Sequence, residues 1–153
     1  MDSDMRFEGQ VAIVTGVGGG IGGAIALGCT NEGARVACMG RTEGNARKVA
    51  DEINDIRADA AKAYAVDVAD HAAVHKIGIQ ILQDFGRADI LVNNAGVTRD
   101  AIAMRMSAEE WDACIHPNLR GAFSSTQPFV IKMTNRASGR TRPQDRCTGW
   151  WGN

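Results

Sequence analysis

The chain has 153 residues, 44% hydrophobic and 23% charged, with a formal net charge of −1, which fits one soluble globular domain with a sizeable core. So neutral a balance gives no reason to expect nucleic acid or an anionic membrane as partner. No run of 18 apolar residues is present to span a bilayer, and the acidic opening MDSDMRFEGQ lacks a leader-like apolar stretch, so a cytoplasmic location is expected.

Gln10 to Thr15 is a short apolar run ending in glycines and predicts a buried strand. A helix is expected over Gly20–Glu32, with Ile21, Ala24, Ile25, Gly28 and Cys29 on its buried face and Gly33 as its stop. Arg35–Met39 predicts a second strand. Thr42 is placed to cap a helix whose apolar stripe is Ala46, Val49, Ile53 and Ile56. Lys62–Val66 is the third strand. A helix over Asp70–Phe85 carries Val74, Ile77, Ile81 and Leu82, and Ala88–Asn93 is the fourth strand. Ser107-Ala-Glu-Glu110 has the form of a capping box and opens a short helix bearing Trp111. A longer helix is expected from near Pro117 to Thr134, with Pro128 an awkward interior residue.

Continuously apolar strands alternating with helices imply an α/β fold: a doubly wound parallel sheet covered on both faces. The domain is expected over residues 1–135. Residues 136–153 differ in kind: Arg136 to Arg146 carries a local charge of +3, whereas the first 135 residues sum to −4. Pro143 and the charges around it exclude a buried parallel strand there, and a basic tail is expected. Cys29, Cys38, Cys114 and Cys147 form no CxxC pair and are expected as reduced, mostly buried thiols. His71 and His75 share a helix face without a third ligand nearby, so a solvated face is expected and no metal site.

The segment Thr15-Gly-Val-Gly-Gly-Gly-Ile-Gly22 lies between the first strand and the first helix. Glycines there let the backbone turn and approach phosphates without an intervening Cβ, and the helix N-terminus offers free N–H groups and a positive dipole end. Gly16, Gly18, Gly19, Gly20, Ile21 and Gly22 are the expected pyrophosphate cradle. The second strand ends in Gly40-Arg41 instead of a carboxylate. A guanidinium pairs with a ribose 2′-phosphate, which favours NADP over NAD.

With Asp67-Val68 after the third strand and Asn93-Asn94-Ala95-Gly96 after the fourth, the glycine loop resembles that of the short-chain dehydrogenase/reductase family. The resemblance implies a Rossmann-like sheet, with about four of the family's seven strands represented here. It makes Asp67 and Val68 adenine contacts and places Asn94, Ala95 and Gly96 beside the cofactor. Asn93 to Asp100, Met104-Arg-Met106 and Glu110-Trp-Asp112 are similar to 3-oxoacyl-acyl-carrier-protein reductases, and acetoacetyl-CoA reductases share much of this pattern. NADPH reduction of a 3-oxoacyl thioester, on acyl carrier protein or coenzyme A, is the implied reaction. In it the cofactor supplies hydride and the protein a positioned acid. Homo-oligomers, often formed through the long helix, are implied for intact family members.

Of the family's catalytic serine, tyrosine, lysine and asparagine, only the asparagine has a counterpart, Asn118 in Pro117-Asn-Leu-Arg-Gly121, preceded by an unusual His116-Pro117. Arg146 holds the serine position, and the tyrosine and lysine positions fall beyond Asn153. Tyr64, the one tyrosine, belongs to the third strand. Family-like spacing with altered residues from Arg140 to Gly149 predicts a reading-frame excursion followed by truncation, which another frame of the coding DNA would reveal. The chain itself is therefore expected to be catalytically incomplete, with weak cofactor affinity and an open sheet edge at the fourth strand. The alternative is a non-enzymatic cofactor-binding remnant or partner subunit.

Overall fold

Parallel strands and helices alternate along the computed structural model, which describes residues 5–137. β1 (Val11–Thr15) leads to α1 (Gly20–Asn31), β2 (Arg35–Gly40) to α2 (Glu43–Ile56), and β3 (Ala61–Ala65) to α3 (His71–Phe85). β4 (Ile90–Val92) is followed by α4 (Ala108–Ile115) and α5 (Gly121–Ala137), with a π turn over His116–Arg120 between them. The strand order is β3-β2-β1-β4, all parallel. The chain steps outward from β1 to β3 and then returns to place β4 on β1's other side.

Alternation along β1 divides the core into two layers, as a sheet covered on both faces requires. Ala12 and Val14 join Ala26 and Cys29 of α1 and Ala46, Ala50 and Ile53 of α2. Val11 and Ile13 join Val74, Ile81 and Phe85 of α3 and Phe129 and Met133 of α5. The doubly wound parallel arrangement expected from the sequence is thus present.

Local details differ from expectation. The buried face of α1 is Gly22, Ala26, Cys29 and Thr30, whereas Ile21, Ala24 and Gly28 are exposed. Almost every residue of this helix is small or apolar, so its periodicity is weak and close packing selects the small face. Ile56, in the last turn of α2, is 64% exposed and outside the stripe. β3 is an edge strand in which Lys62 and Ala65 are exposed, so it lacks the continuous burial expected of it. β4 is shorter than Ala88–Asn93, and ahead of it the Asp89 carboxylate replaces one of the backbone ladder bonds. Asp89 N–H donates to the Val11 carbonyl at 3.0 Å, and its Oδ2 accepts from Val11 N–H at 2.8 Å. Arg87 Nε, 2.6 Å from Asp89, supplies the counter-charge for that buried carboxylate.

The expected capping box is present: Ser107 Oγ accepts from Glu110 N–H at 3.1 Å, and Glu110 Oε2 accepts from Ser107 N–H at 2.9 Å. α5 starts after the π turn and runs through Pro128 to Ala137. The proline ring sits against Gly78 of α3, where a Cβ would stand 2.7 Å from Pro128 Cγ. The missing side chain at residue 78 therefore makes room for a rigid ring at the α3–α5 contact. His71 Nδ1 lies 3.1 Å from Ser124 Oγ across the same pair of helices. The tail expected over 136–153 begins within α5. Its remainder, with Arg146 and Cys147, lies outside the described residues.

Candidate functional site

An open sheet binds ligands beyond the C-terminal ends of its strands, where the strand order reverses. Here that point lies between β1 and β4, and a cleft of about 720 Å³ opens there. Gly16, Gly18, Gly19, Gly20, Ile21 and Gly22 line it, together with Arg41, Asp67, Val68, Asn94, Ala95 and Gly96. Segments 80 residues apart in sequence thus meet at one site, and all twelve positions singled out as a cofactor cradle border it. Asn118 does not line the cleft.

Close approach explains the glycines individually. Gly16 has φ +71°, and a Cβ there would stand 2.7 Å from Ala95 Cα. A Cβ on Gly22 would run into the Gly16 carbonyl oxygen and stand 2.6 Å from Asn94 Nδ2. These two residues let the loop pack against the end of β4. Gly19 and Gly20 are the opposite case: a Cβ on either would meet nothing within 4 Å. The space in front of them belongs to the cleft.

Thr15 and Asn94 lock the two loops together. The Thr15 hydroxyl, only 1% exposed, accepts from Asn94 N–H at 3.1 Å and Ala95 N–H at 3.0 Å, and it donates to the Val92 carbonyl at 3.4 Å. Asn94 Nδ2 donates to the carbonyls of Thr15 at 3.1 Å and Gly16 at 3.2 Å. The side chains thereby continue the β1–β4 pairing past the end of the strands. Asn93 Nδ2 donates to Thr126 Oγ1 at 3.2 Å, tying the same strand end to α5.

Helix capping separates the cleft from the rest of the surface. α3 and α4 carry side-chain caps, Asp70 accepting from Ala73 N–H and Ser107 from Glu110 N–H. The N-termini of α1 and α2, which reach the cleft through Gly19 to Gly22 and through Thr42 and Asn45, carry none. Thr42 occupies the N-cap position of α2, but its hydroxyl does not cap the helix as expected. First-turn N–H groups left without a side-chain acceptor suit an anion. α1 also has no acidic residue in its first turn, and Glu43 of α2 is paired to Arg47 at 2.6 Å. Arg41 is exposed and without a side-chain partner among the described residues. Asp67, the one carboxylate among the lining residues, accepts from Ala69 N–H at 2.9 Å.

Asn118 works from behind the cleft wall. Its Oδ1 accepts from Val97 N–H at 3.2 Å, and its Nδ2 donates to the Val97 carbonyl at 2.6 Å and the Cys114 carbonyl at 2.8 Å. The amide therefore pairs with Val97 as a neighbouring strand would, and it holds the loop after Gly96 against the helix. Pro117 has no N–H to donate back along the helix, and the turn widens to the π form, with Gly121 N–H donating to the His116 carbonyl. Gly121 admits Val68 closely; a Cβ there would stand 2.8 Å from Val68 Cγ2.

Sequence reasoning missed Thr42, Asn45, Val97, Arg99, His116 and Pro117 as lining residues. Asn45 lies in the first turn of the helix after Arg41, a signal that spacing alone offered. Arg99 and His116 reach the cleft through tertiary packing. Tyr64 is absent from the cleft: its hydroxyl donates to Asp84 Oδ2 at 2.7 Å, and burial and that carboxylate push its pKa up. Cys38, buried in β2, has its thiol pushed up to about 12 by burial. Among the described residues no set of three or more His, Cys, Asp or Glu gathers to hold a metal ion, and no helix is long and apolar enough to cross a membrane.

The sequence model of the family described as short chain dehydrogenase matches residues 10–141. A 3-oxoacyl-[acyl-carrier-protein] reductase of Thermotoga maritima is 36% identical over 149 residues, covering 97% of this chain and 60% of the relative. Its Escherichia coli counterpart is 36% identical over 149 residues, covering 97% and 59%. D-threitol dehydrogenase of Mycolicibacterium smegmatis is 39% identical over 139 residues, covering 91% and 53%. The chain thus spans 53–60% of the length of these relatives. Among solved structures, a metagenomic short-chain oxidoreductase in complex with NADP superposes with a TM-score of 0.81 at 36% identity, covering 87% of this chain and 60% of that one.

Proposed function

The chain belongs to the short chain dehydrogenase family, and on that footing we propose that its cleft holds NADP and serves the NADPH-dependent reduction of a 3-oxoacyl thioester, carried on acyl carrier protein or coenzyme A. One observation carries the cofactor reading. The uncapped N-terminus of α1 stands behind Gly19 and Gly20, whose Cβ positions are open, and Arg41, without a side-chain partner among the described residues, also lines the cleft. These groups fit a dinucleotide: free N–H groups for the pyrophosphate and a guanidinium for a 2′-phosphate. When bound, NADPH supplies the hydride.

The chain's own residues do the rest. Gly18 to Gly22 bind the pyrophosphate with backbone N–H groups. Arg41 pairs with the ribose phosphate, with the Thr42 hydroxyl and the Asn45 amide beside it. Val66 and Val68 offer an apolar wall to the adenine, and Asp67 offers a hydrogen-bond acceptor. Thr15 and Asn94 hold Ala95 and Gly96 at the end of the cleft, and Asn118 fixes Val97 next to them. Tyr64 does not deliver the proton in the cleft, because its hydroxyl is engaged with Asp84 outside it. With its one tyrosine so engaged, the 153-residue chain assayed alone is expected to bind cofactor without turnover. Trp111, Leu119, Phe123 and Ile131 are exposed on α4, the π turn and α5, and we assign them to contact with a second copy, which sedimentation at increasing concentration tests.

The testing experiment is NADPH oxidation with acetoacetyl-CoA, with an intact family member as positive control and NADPH binding measured alongside. Saturable NADPH binding without turnover is expected. Turnover in a preparation free of host reductase contradicts the missing acid, and failure to bind NADPH contradicts the cofactor reading.

A further inference from the structure

The cleft has cationic groups on two walls, and the cofactor reading uses only one of them. Arg41 follows β2, whereas Arg99 follows β4, and β1 with its glycine loop lies between them. Arg99 belongs to the segment between β4 and α4, so the two enter the cleft wall from separate parts of the chain. His116 joins Arg99 on the β4 side, from the junction of α4 with the π turn. Both side chains are exposed to the cleft, and neither has a hydrogen-bond or ion-pair partner among the described residues. The lining carries a single carboxylate, Asp67, and it follows β3 on the Arg41 side of the sheet. A guanidinium without an ion-pair partner among the described residues, lining the same ligand cleft as an imidazole, attracts a second anionic group.

We infer that Arg99 and His116 form a second anion-binding pole that reads a phosphate ester on the substrate, distinct from the phosphates of the dinucleotide. This rests on the reading of the cleft as a dinucleotide site for thioester reduction. Both carriers of such a thioester present the acyl group on a phosphorylated pantetheine arm, and that phosphate is the matching chemistry. Arg99 supplies paired N–H donors to the phosphate oxygens and His116 one more. A neutral polyol or simple ketone offers this pole nothing, so it discriminates between substrate classes of comparable size.

The test is calorimetric titration of the full chain with 4′-phosphopantetheine, with pantetheine, and with coenzyme A, each with and without saturating NADPH. Phosphopantetheine is expected to bind at least tenfold more tightly than pantetheine. Arg99→Gln should abolish that preference, Arg99→Lys should restore part of it, and His116→Gln should reduce it several-fold. Arg99→Gln should leave NADPH affinity within twofold of the parent. Among the described residues Arg99 has no side-chain hydrogen bond or ion pair, and circular dichroism checks that the variants remain folded. Equal binding of phosphopantetheine and pantetheine overturns the inference, as does a preference that survives Arg99→Gln. An equal loss of NADPH affinity in Arg99→Gln also overturns it, by assigning the pole to the cofactor. A preference seen only with coenzyme A assigns the pole to the nucleotide phosphates of that carrier and overturns the pantetheine assignment. If NADPH fails to bind, the cofactor reading falls, and the titrations without NADPH still decide the second pole.

Discussion

Two alanine substitutions at the glycine loop should both weaken NADPH binding, but only one of them should cost stability. Gly19 has φ −111° and ψ 161°, extended backbone open to any residue, and a Cβ there meets nothing within 4 Å. Gly19→Ala should leave stability within about 1 kcal/mol of the parent, because the gain from a stiffer unfolded chain and the loss of a tolerated N-cap glycine are both of that size. The added methyl projects into the space where a phosphate must approach the N–H groups. Losing or lengthening about two charge-assisted hydrogen bonds, at roughly 1.5 kcal/mol each, lowers NADPH affinity on the order of 100-fold. Gly22→Ala drives its Cβ into the Gly16 carbonyl and toward Asn94 Nδ2. Overpacking against backbone costs about 1–3 kcal/mol, and the bonds from Asn94 loosen as well. This variant should lose both stability and binding. Urea midpoints and NADPH titrations on the two proteins check the pair. Unchanged NADPH affinity in Gly19→Ala would refute the phosphate cradle, and destabilisation equal to that of Gly22→Ala would refute the open space.

Arg41→Gln should weaken NADPH by about 1.5–3 kcal/mol while leaving NADH nearly unchanged, an effect read from paired titrations that shrinks as salt is raised. Thr15→Val keeps the shape but strands the N–H groups of Asn94 and Ala95, so the denaturation free energy should fall by roughly 2–4 kcal/mol. Gly78→Ala presses a methyl into Pro128 and should cost about 1–3 kcal/mol in the same assay, with NADPH affinity preserved relative to the folded fraction. Burial holds the Cys38 thiol protonated in the fold up to about 12, above its ordinary value of 9.0. The unfolded chain therefore loses that proton first, and stability should decline as pH rises from about 9 toward 12, at about 1.4 kcal/mol per pH unit from this group. Cys38→Ala should remove that part of the slope in urea titrations across the alkaline range.

The sequence made the scaffold and the cradle legible for a local reason. β1 ending in glycines, Asp67-Val68 after β3 and Asn94-Ala95-Gly96 after β4 are short runs whose residue types answer to their own backbone. Gly16 needs its positive φ and its approach to Ala95, and both requirements leave a mark at that one position. What stayed hidden depends on packing between remote segments. The face of α1 is chosen by how closely Gly22 and Ala26 approach the sheet, so the apolar Ile21 turns outward and Gly22 inward. The Thr42 hydroxyl follows the cap rule in position and departs from it in bonding. Arg99 and His116 are ordinary charged-loop and helix-end residues until the return of β4 beside β1 brings them to the cleft. Asn118 was legible as a family position. Its two bonds to Val97, across 21 residues, were not.

The most direct test of the cleft as an NADP site is a fluorescence titration of the purified 153-residue chain with NADPH and, in parallel, NADH. Saturable binding that favours NADPH, with the preference lost in Arg41→Gln, is the predicted result. No saturable binding of either dinucleotide to the folded chain, or indifference between the two, would contradict it.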